Sequence, residues 1–161
     1  MISTLTLNVH KGVTALAKAP MMQTLRSAVQ AVDSDVVFLQ EVVGKDSSPK
    51  GEQVLLGGQS QYEYLADSIW SDYAYGKNAV YESGHHGNAI MSRYPIASAQ
   101  NYDVSHHGDE RRGLLHAAID GPTPLNAICV HFGLKEKHRQ LQCEFLCDLI
   151  NERIPIDEPL L

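Results

Sequence analysis

Thr4-Leu5-Thr6-Leu7-Asn8-Val9-His10 and Asp35-Val36-Val37-Phe38-Leu39-Gln40-Glu41-Val42-Val43, with a helix-patterned segment between them, decide the fold of this chain. In the first stretch Leu5, Leu7 and Val9 fall on one face and Thr4, Thr6, Asn8 and His10 on the other, which is the period of a strand. After Gly12, residues Met21, Leu25, Ala28, Val29 and Val32 recur at helical spacing. Pro20 introduces them at a first-turn position, where a missing N–H costs nothing, and Asp33-Ser34 ends the helix. The second stretch is continuously apolar, as expected of a strand buried on both faces, and closes on Gln40-Glu41. Strand, helix, strand predicts a βαβ unit with two neighbouring parallel strands and a right-handed crossover. Asn8 and Glu41 then emerge at one carboxyl edge, where open α/β sheets bind ligands.

Working outward, the later segments read as antiparallel. Asn78 to Glu82 and Asn88 to Ser92 flank Ser83-Gly84-His85-His86-Gly87, and Leu114 to Ile119 and Leu125 to His131 flank Gly121-Pro122-Thr123-Pro124. Two hairpins are predicted. A last amphipathic helix runs from Lys135 to Arg153, with Leu141, Phe145 and Leu149 in one row beside Leu146 and Ile150, and Pro155 stops it. Asp157-Glu158-Pro159-Leu160-Leu161 reads as a turn leading into a further strand. Gly44 to Ser60 is one surface loop, and no repeat or linker divides the chain. The expectation is a single α/β domain over residues 1–161.

The chain has 161 residues, 43% hydrophobic and 20% charged, which suits one globular domain and excludes a disordered or fibrous chain. Its apolar runs are strand-length, and the N-terminus has neither a basic region nor a long apolar run, so no membrane span or secretory signal is predicted and a cytoplasmic location is expected. The net charge of −6 argues against non-specific duplex binding, which needs clustered Lys and Arg; tight polyanion binding would need a metal. Cys129, Cys143 and Cys147 are an odd number, and the last two lie one helical turn apart, where a disulfide fits poorly. All three read as reduced packing thiols. A zinc site built on them lacks a second cysteine pair.

Glu41 closes an apolar strand, so its carboxylate is either an exposed strand-end group or a ligand to a cation. Asn8 beside it forms an oxygen-rich corner suited to Mg²⁺. His131 ends the apolar Ile128-Cys129-Val130 run. It reads either as a phosphoryl-binding or proton-transferring imidazole or as a core-edge histidine bonded to a backbone carbonyl. Arg111-Arg112 can place a guanidinium on a phosphate or stay solvated. His85-His86 and His106-His107 point apart as consecutive residues and lack a carboxylate at ligand spacing. Tyr62, Tyr64, Trp70, Tyr73, Tyr75 and Tyr81 read as core and rim packing.

Four blocks resemble the endonuclease/exonuclease/phosphatase superfamily, and specifically its small bacterial members. Thr6 to Gly12 is similar to its first-strand asparagine block and Asp35 to Val42 to the block carrying its metal-binding glutamate. Gly87 to Pro95 resembles a central strand motif, and Asn126 to Leu134 the strand ending in its active-site histidine. The resemblance implies a DNase I-like four-layer α/β sandwich and a metal-dependent phosphoester hydrolase. It implies that Glu41 binds Mg²⁺ or Mn²⁺, that Asn8 supports the metal and its water, and that His131 contacts the scissile phosphate. Arg112 matches a basic position before the next strand. Small phosphodiesters, nucleotides, phospholipid head groups and nucleic acid are the implied substrates.

The family's later Gly-Asp-Phe-Asn-like and Ser-Asp-His-like blocks have no counterpart here. The resemblance therefore implies that the chain carries the N-terminal half to two-thirds of the sandwich. Such a piece is expected to expose the apolar inner face of its sheet and to self-associate through it or take a stabilising partner. The rival reading is an inactive module with at most metal or phosphate binding. A hydrolase built on Cys129 or His85 lacks a paired base and orienting group.

Overall fold

The computed structural model describes residues 1–14, 20–49, 55, 58–67, 69–106 and 111–161. The chain runs β1 (Thr4–Asn8), a 3₁₀ turn (His10–Gly12), α1 (Met22–Val32), β2 (Val36–Asp46), α2 (Gln61–Ala66), β3 (Asp72–Tyr81) and β4 (Gly84–Ser92). It continues through β5 (Ile96–Asp103), β6 (Gly113–Ile119), β7 (Leu125–Val130) and α3 (Glu136–Arg153). One sheet has the order β1-β2-β4-β3 and the other β5-β6-β7. The predicted βαβ unit is present: β1 and β2 are parallel, with Asn8 opposite Gln40. All other strand pairs are antiparallel.

The two faces of β2 explain the layering. Val37 and Leu39 point into a core shared with Leu25, Val29 and Leu65 of α1 and α2, next to the buried Trp70. Val36 and Phe38 point the other way, against Ile90, Leu115, Ala117 and Cys129 between the sheets. α3 covers the outer face of the second sheet through Leu149 and Leu146 against Leu114, Ile128 and Val130. Helices, sheet, sheet and helix give the expected four layers.

Several expectations change. Both sheets lie within the chain and their inner faces bury one another, so the exposed apolar inner face is absent among the described residues and the self-association or stabilising partner argued from it loses its basis. The first hairpin turns at Glu82-Ser83, which puts His85 and His86 inside β4 rather than in a loop. β2 continues to Asp46 instead of ending at Val43. β5 and α2 are additional elements, and Ser60 and Glu63 cap α2 reciprocally. Pro20 lies before the α1 cap residue Met21 rather than in the helix. In α3 the buried residues are Gln142 and Leu149, while Leu141 and Phe145 are exposed. The second hairpin forms as predicted, and residues 159–161 run parallel to β7 through Asn126 N–H to Pro159 O at 2.9 Å and Leu161 N–H to Asn126 O at 2.9 Å.

Candidate active site

Where β1 ends, the backbone makes a tight left-handed turn: φ is 48° at His10, 58° at Lys11 and 74° at Gly12. Asn8 Oδ1 accepts the His10 N–H at 2.9 Å, which fixes the turn to the strand end. On the neighbouring strand, Leu39 pairs with Ala89 and Val42 with Gly87. Two residues of β2, Gln40 and Glu41, therefore oppose the single Asn88 of β4, a bulge that re-aims the Glu41 side chain. Glu41 has φ of 55°, a conformation costly for any residue but glycine. Among the described residues five non-glycine residues have positive φ; Asp33 and Asp67 end helices, and the other three are His10, Lys11 and Glu41. Backbone strain is thus concentrated at one corner of the molecule.

Glu41 is the centre of that corner. Asn8 Nδ2 donates to its Oε1 at 3.2 Å. His131 Nε2 lies 3.8 Å from the same oxygen, and His10 Nδ1 3.8 Å from Oε2. Burial pushes the carboxyl up, but the Asn8 hydrogen bond and the positive fields of His131, His10 and Lys11 outweigh it and hold Glu41 below the usual carboxylate range. The carboxylate is ionised at neutral pH and sits among cationic or titratable groups, in a chain that is acidic overall.

Arg112 is buried, with Nε donating to Phe132 O at 3.2 Å and Nη1 to Arg111 O at 3.2 Å. Its guanidinium is thereby fixed to the segment that follows His131, whereas the neighbouring Arg111 is exposed. The structure brings Asn8, Glu41 and His131 together and holds Arg112 beside the His131 loop. His86 joins them, a residue the sequence reading set aside. Burial, with Lys11, Arg112 and His131, pushes its imidazole down to about 4 against the opposing pull of Glu41. Its Nδ1 is buried without a hydrogen-bond partner. His85 belongs to the opposite face, where Nδ1 meets the Tyr75 hydroxyl at 3.0 Å. Placing both histidines in a strand separates their roles, because successive strand residues face opposite sides.

Most of the remaining candidates resolve into packing. Cys129 accepts from Gln40 Nε2 at 3.6 Å and donates to Leu39 O at 3.5 Å; burial pushes its thiol up to about 12. Cys143 and Cys147 are free but exposed, so the expectation of a packing thiol holds for Cys129 alone. The Tyr62 and Tyr75 rings stack at 4.5 Å, with Tyr73 at 5.2 Å from Tyr62, so these tyrosines bind α2 to β3. His106 packs on His138 at 4.6 Å, while His107, Gly108, Asp109 and Glu110 lie outside the described residues. Among the described residues no group of three or more His, Cys, Asp or Glu side chains is arranged to hold a metal ion. Asn8 turns its Nδ2 to Glu41 and its Oδ1 to the His10 N–H, so in place of the expected oxygen-rich corner the Glu41 carboxylate is the oxygen donor and Asn8 orients it. A carboxylate fits Mg²⁺ or Mn²⁺ in chemistry, with the other coordination positions left to water and substrate oxygens.

A chain with this four-layer fold and this strand-end site belongs to the Endonuclease/Exonuclease/phosphatase family, whose sequence profile matches residues 5–161. Members of the family are hydrolases acting on phosphoesters and generally use divalent metals. The chain is 48% identical over 160 residues to the uncharacterized protein YbhP of Escherichia coli (strain K12), across 98% of this chain and 63% of that protein. It therefore spans less than two-thirds of that relative's length. An endonuclease/exonuclease/phosphatase of Beutenbergia cavernae superposes with a TM-score of 0.72 at 22% identity, over 94% of this chain and 44% of that one. TDP2 of D. rerio, solved in complex with a single-strand DNA product, superposes with a TM-score of 0.66 at 19% identity, over 99% and 58%. The fold is DNase I-like. Among the described residues no helix is long and apolar enough to cross a membrane.

Proposed function

We propose that residues 1–161 belong to one domain of a metal-dependent phosphoester hydrolase, with Glu41 as metal ligand, Asn8 supporting it, and His131 and Arg112 meeting the phosphate. The observation that carries this reading is the Glu41 carboxylate, held ionised by Asn8 and flanked at 3.8 Å by His131 and His10. Bound Mg²⁺ or Mn²⁺ supplies Lewis-acid stabilisation of negative charge on a phosphoryl oxygen. Asn8 keeps the carboxylate oriented toward the strand-end corner. His131 donates a hydrogen bond to a phosphoryl oxygen, and Arg112 contributes a fixed positive charge toward the charge that develops in the transition state. Small phosphodiesters, nucleotides and phospholipid head groups stand ahead of duplex DNA, because the chain carries a net charge of −6. Single-stranded nucleic acid stays in the set, since the TDP2 relative was solved with such a product. A reducing, cytoplasmic location is part of the proposal, supported by the three free thiols.

The test is hydrolysis of an aryl phosphodiester by this chain with Mg²⁺ or Mn²⁺, against EDTA, with Glu41→Ala as the blank. Metal-dependent turnover that disappears in Glu41→Ala is expected. No turnover with either metal sinks the catalytic reading for this chain. It favours the second reading, a module that binds a cation or phosphate without turnover, which the single carboxylate of the described corner supports.

A further inference from the structure

Two glutamines are almost completely buried, one on the helical layer at each side of the sandwich: Gln61, 1% exposed, opens α2, and Gln142, 2% exposed, lies within α3. A buried carboxamide forfeits its hydrogen bonds to water and must replace them at both ends. Gln61 Oε1 accepts the Val43 N–H at 2.9 Å, and its Nε2 donates to Lys11 O at 2.8 Å. Gln142 Oε1 accepts the Gly133 N–H at 2.8 Å, and its Nε2 donates to Val104 O at 3.0 Å.

The four backbone groups share one property. Each lies where a sheet has run out of neighbouring strand. β1 ends at Asn8, opposite Gln40, so Val43 on β2 has no strand beside it on that side and Lys11 is already in the turn. Val104 follows the last residue of β5, and Gly133 lies three residues beyond β7. These same sheet ends carry the site. Val43 is two residues past Glu41, Lys11 three past Asn8, and Gly133 two past His131, while the Val104 N–H donates to Arg112 O at 3.1 Å. The fit around Gln61 is close: a Cβ added to Gly12 would stand 2.4 Å from its Nε2. An apolar side chain of equal volume would fill either place and leave two desolvated backbone groups unpaired.

The geometry points to a matched pair of positioning residues, Gln61 fixing the turn and bulge that present Asn8 and Glu41, and Gln142 fixing the loops that present His131 and Arg112. What those four residues do rests on the proposed function; that the glutamines set their positions, half by half, does not. The experiment is NMR on Gln61→Met and Gln142→Met, which keep chain length and delete both hydrogen-bonding ends. It follows amide exchange at Val43 and Gly133, the Asn8 side-chain amide resonance and the His131 imidazole resonances at one fixed pH. Gln142→Met is expected to accelerate Gly133 exchange by about tenfold and to shift the His131 resonances, leaving Val43 and Asn8 as they are. Gln61→Met is expected to do the reverse. Gln61→Glu and Gln142→Glu retain one donor and one acceptor while protonated, so each is expected to keep the unsubstituted pattern in that form and lose it on ionisation. Should a Met variant fail to fold, the Glu variant at that position carries the same comparison.

Responses confined to the matching half support the inference. Site resonances that stay put in both halves, or that move together in both halves for either variant, overturn it, since those patterns mean plain packing or general loosening. Half-confined shifts in a chain that shows no turnover would retain the positioning roles and discard the hydrolase reading. Turnover in the unsubstituted chain, with site resonances indifferent to both glutamines, would do the opposite.

Discussion

Asn8 reaches across two parallel strands to Glu41, its Nδ2 donating to Oε1 at 3.2 Å while its own Oδ1 accepts the His10 N–H at 2.9 Å. One carboxamide thus joins the left-handed turn after β1 to the carboxylate of the β2 bulge. In Asn8→Ala the burial that pushes the Glu41 carboxyl up persists, and the hydrogen bond that most strongly opposes it is gone. The Glu41 titration, followed by carboxyl ¹³C NMR, is expected to move to higher pH, with a stability loss of about 1 kcal/mol. An unmoved titration would mean that His131, His10 and Lys11 hold the charge without Asn8.

The φ of 55° at Glu41 predicts a separation of stability from function. Glycine adopts this conformation freely and alanine does not. Glu41→Gly and Glu41→Ala remove the same carboxylate, so their difference isolates the backbone. The glycine variant is expected to be more stable than the alanine variant by about 1 kcal/mol, a melting-temperature gap of roughly 2–4 °C at this chain length. Both should lose Mn²⁺ binding at the corner. Equal melting temperatures, or an alanine variant that melts higher, would show that the bulge stores no strain at this residue.

Much of this was readable before any coordinates. Alternation in Thr4 to His10 and the unbroken apolar run of Val36 to Leu39 placed Asn8 and Glu41 at one edge, because burial on one face or two leaves different patterns. His131 followed from the end of another apolar run. β5 was hidden because its Ala97-Ser98-Ala99-Gln100 segment lies on an exposed edge and carries no hydrophobic alternation. α2 is too short for a helical period, although Ser60 and Glu63 carry its capping signal. The bulge at Gln40 and Glu41 depends on the pairing with β4, which no single strand encodes. Gln142 misled the reading of α3: a glutamine is normally assigned to the solvent face, so the row of Leu141 and Phe145 looked like the core side. The two backbone groups that Gln142 satisfies, distant in sequence, set the helix rotation instead.

The three thiols should divide two to one. Cys143 and Cys147 are exposed on α3, whereas Cys129 is 1% exposed between the sheets, with its thiol pushed up to about 12 by burial. Thiolate is the reactive form, so both access and ionisation protect Cys129. An aromatic disulfide reagent at neutral pH is expected to titrate two thiols promptly in the native protein and the third only as the fold opens. Three thiols reacting at one rate would place Cys129 outside the packed interior described above.

His86 gives the chain a distinctive response to acid. Its imidazole is pushed down to about 4, first by burial and then by Lys11, Arg112 and His131, whereas an unfolded chain returns it to about 6.5. Between those values the unfolded state binds a proton that the native state does not. Stability therefore rises with pH through this window: the contribution is complete above about 6.5 and is lost as pH falls toward 4. Urea unfolding at intervals from pH 7 to pH 4 should show this decline, and His86→Asn, which cannot take up the proton, should flatten the part of the slope due to His86. Asp35, Glu41 and Glu63 are all held below the usual carboxylate value and also lose their contribution as they protonate, but at lower pH. Their decline lies below the ordinary carboxylate range, so the difference between the two proteins at pH 5 to 6 belongs to His86. Identical slopes there would mean that its imidazole is solvated and free to charge, and that Lys11, Arg112 and His131 do not crowd it.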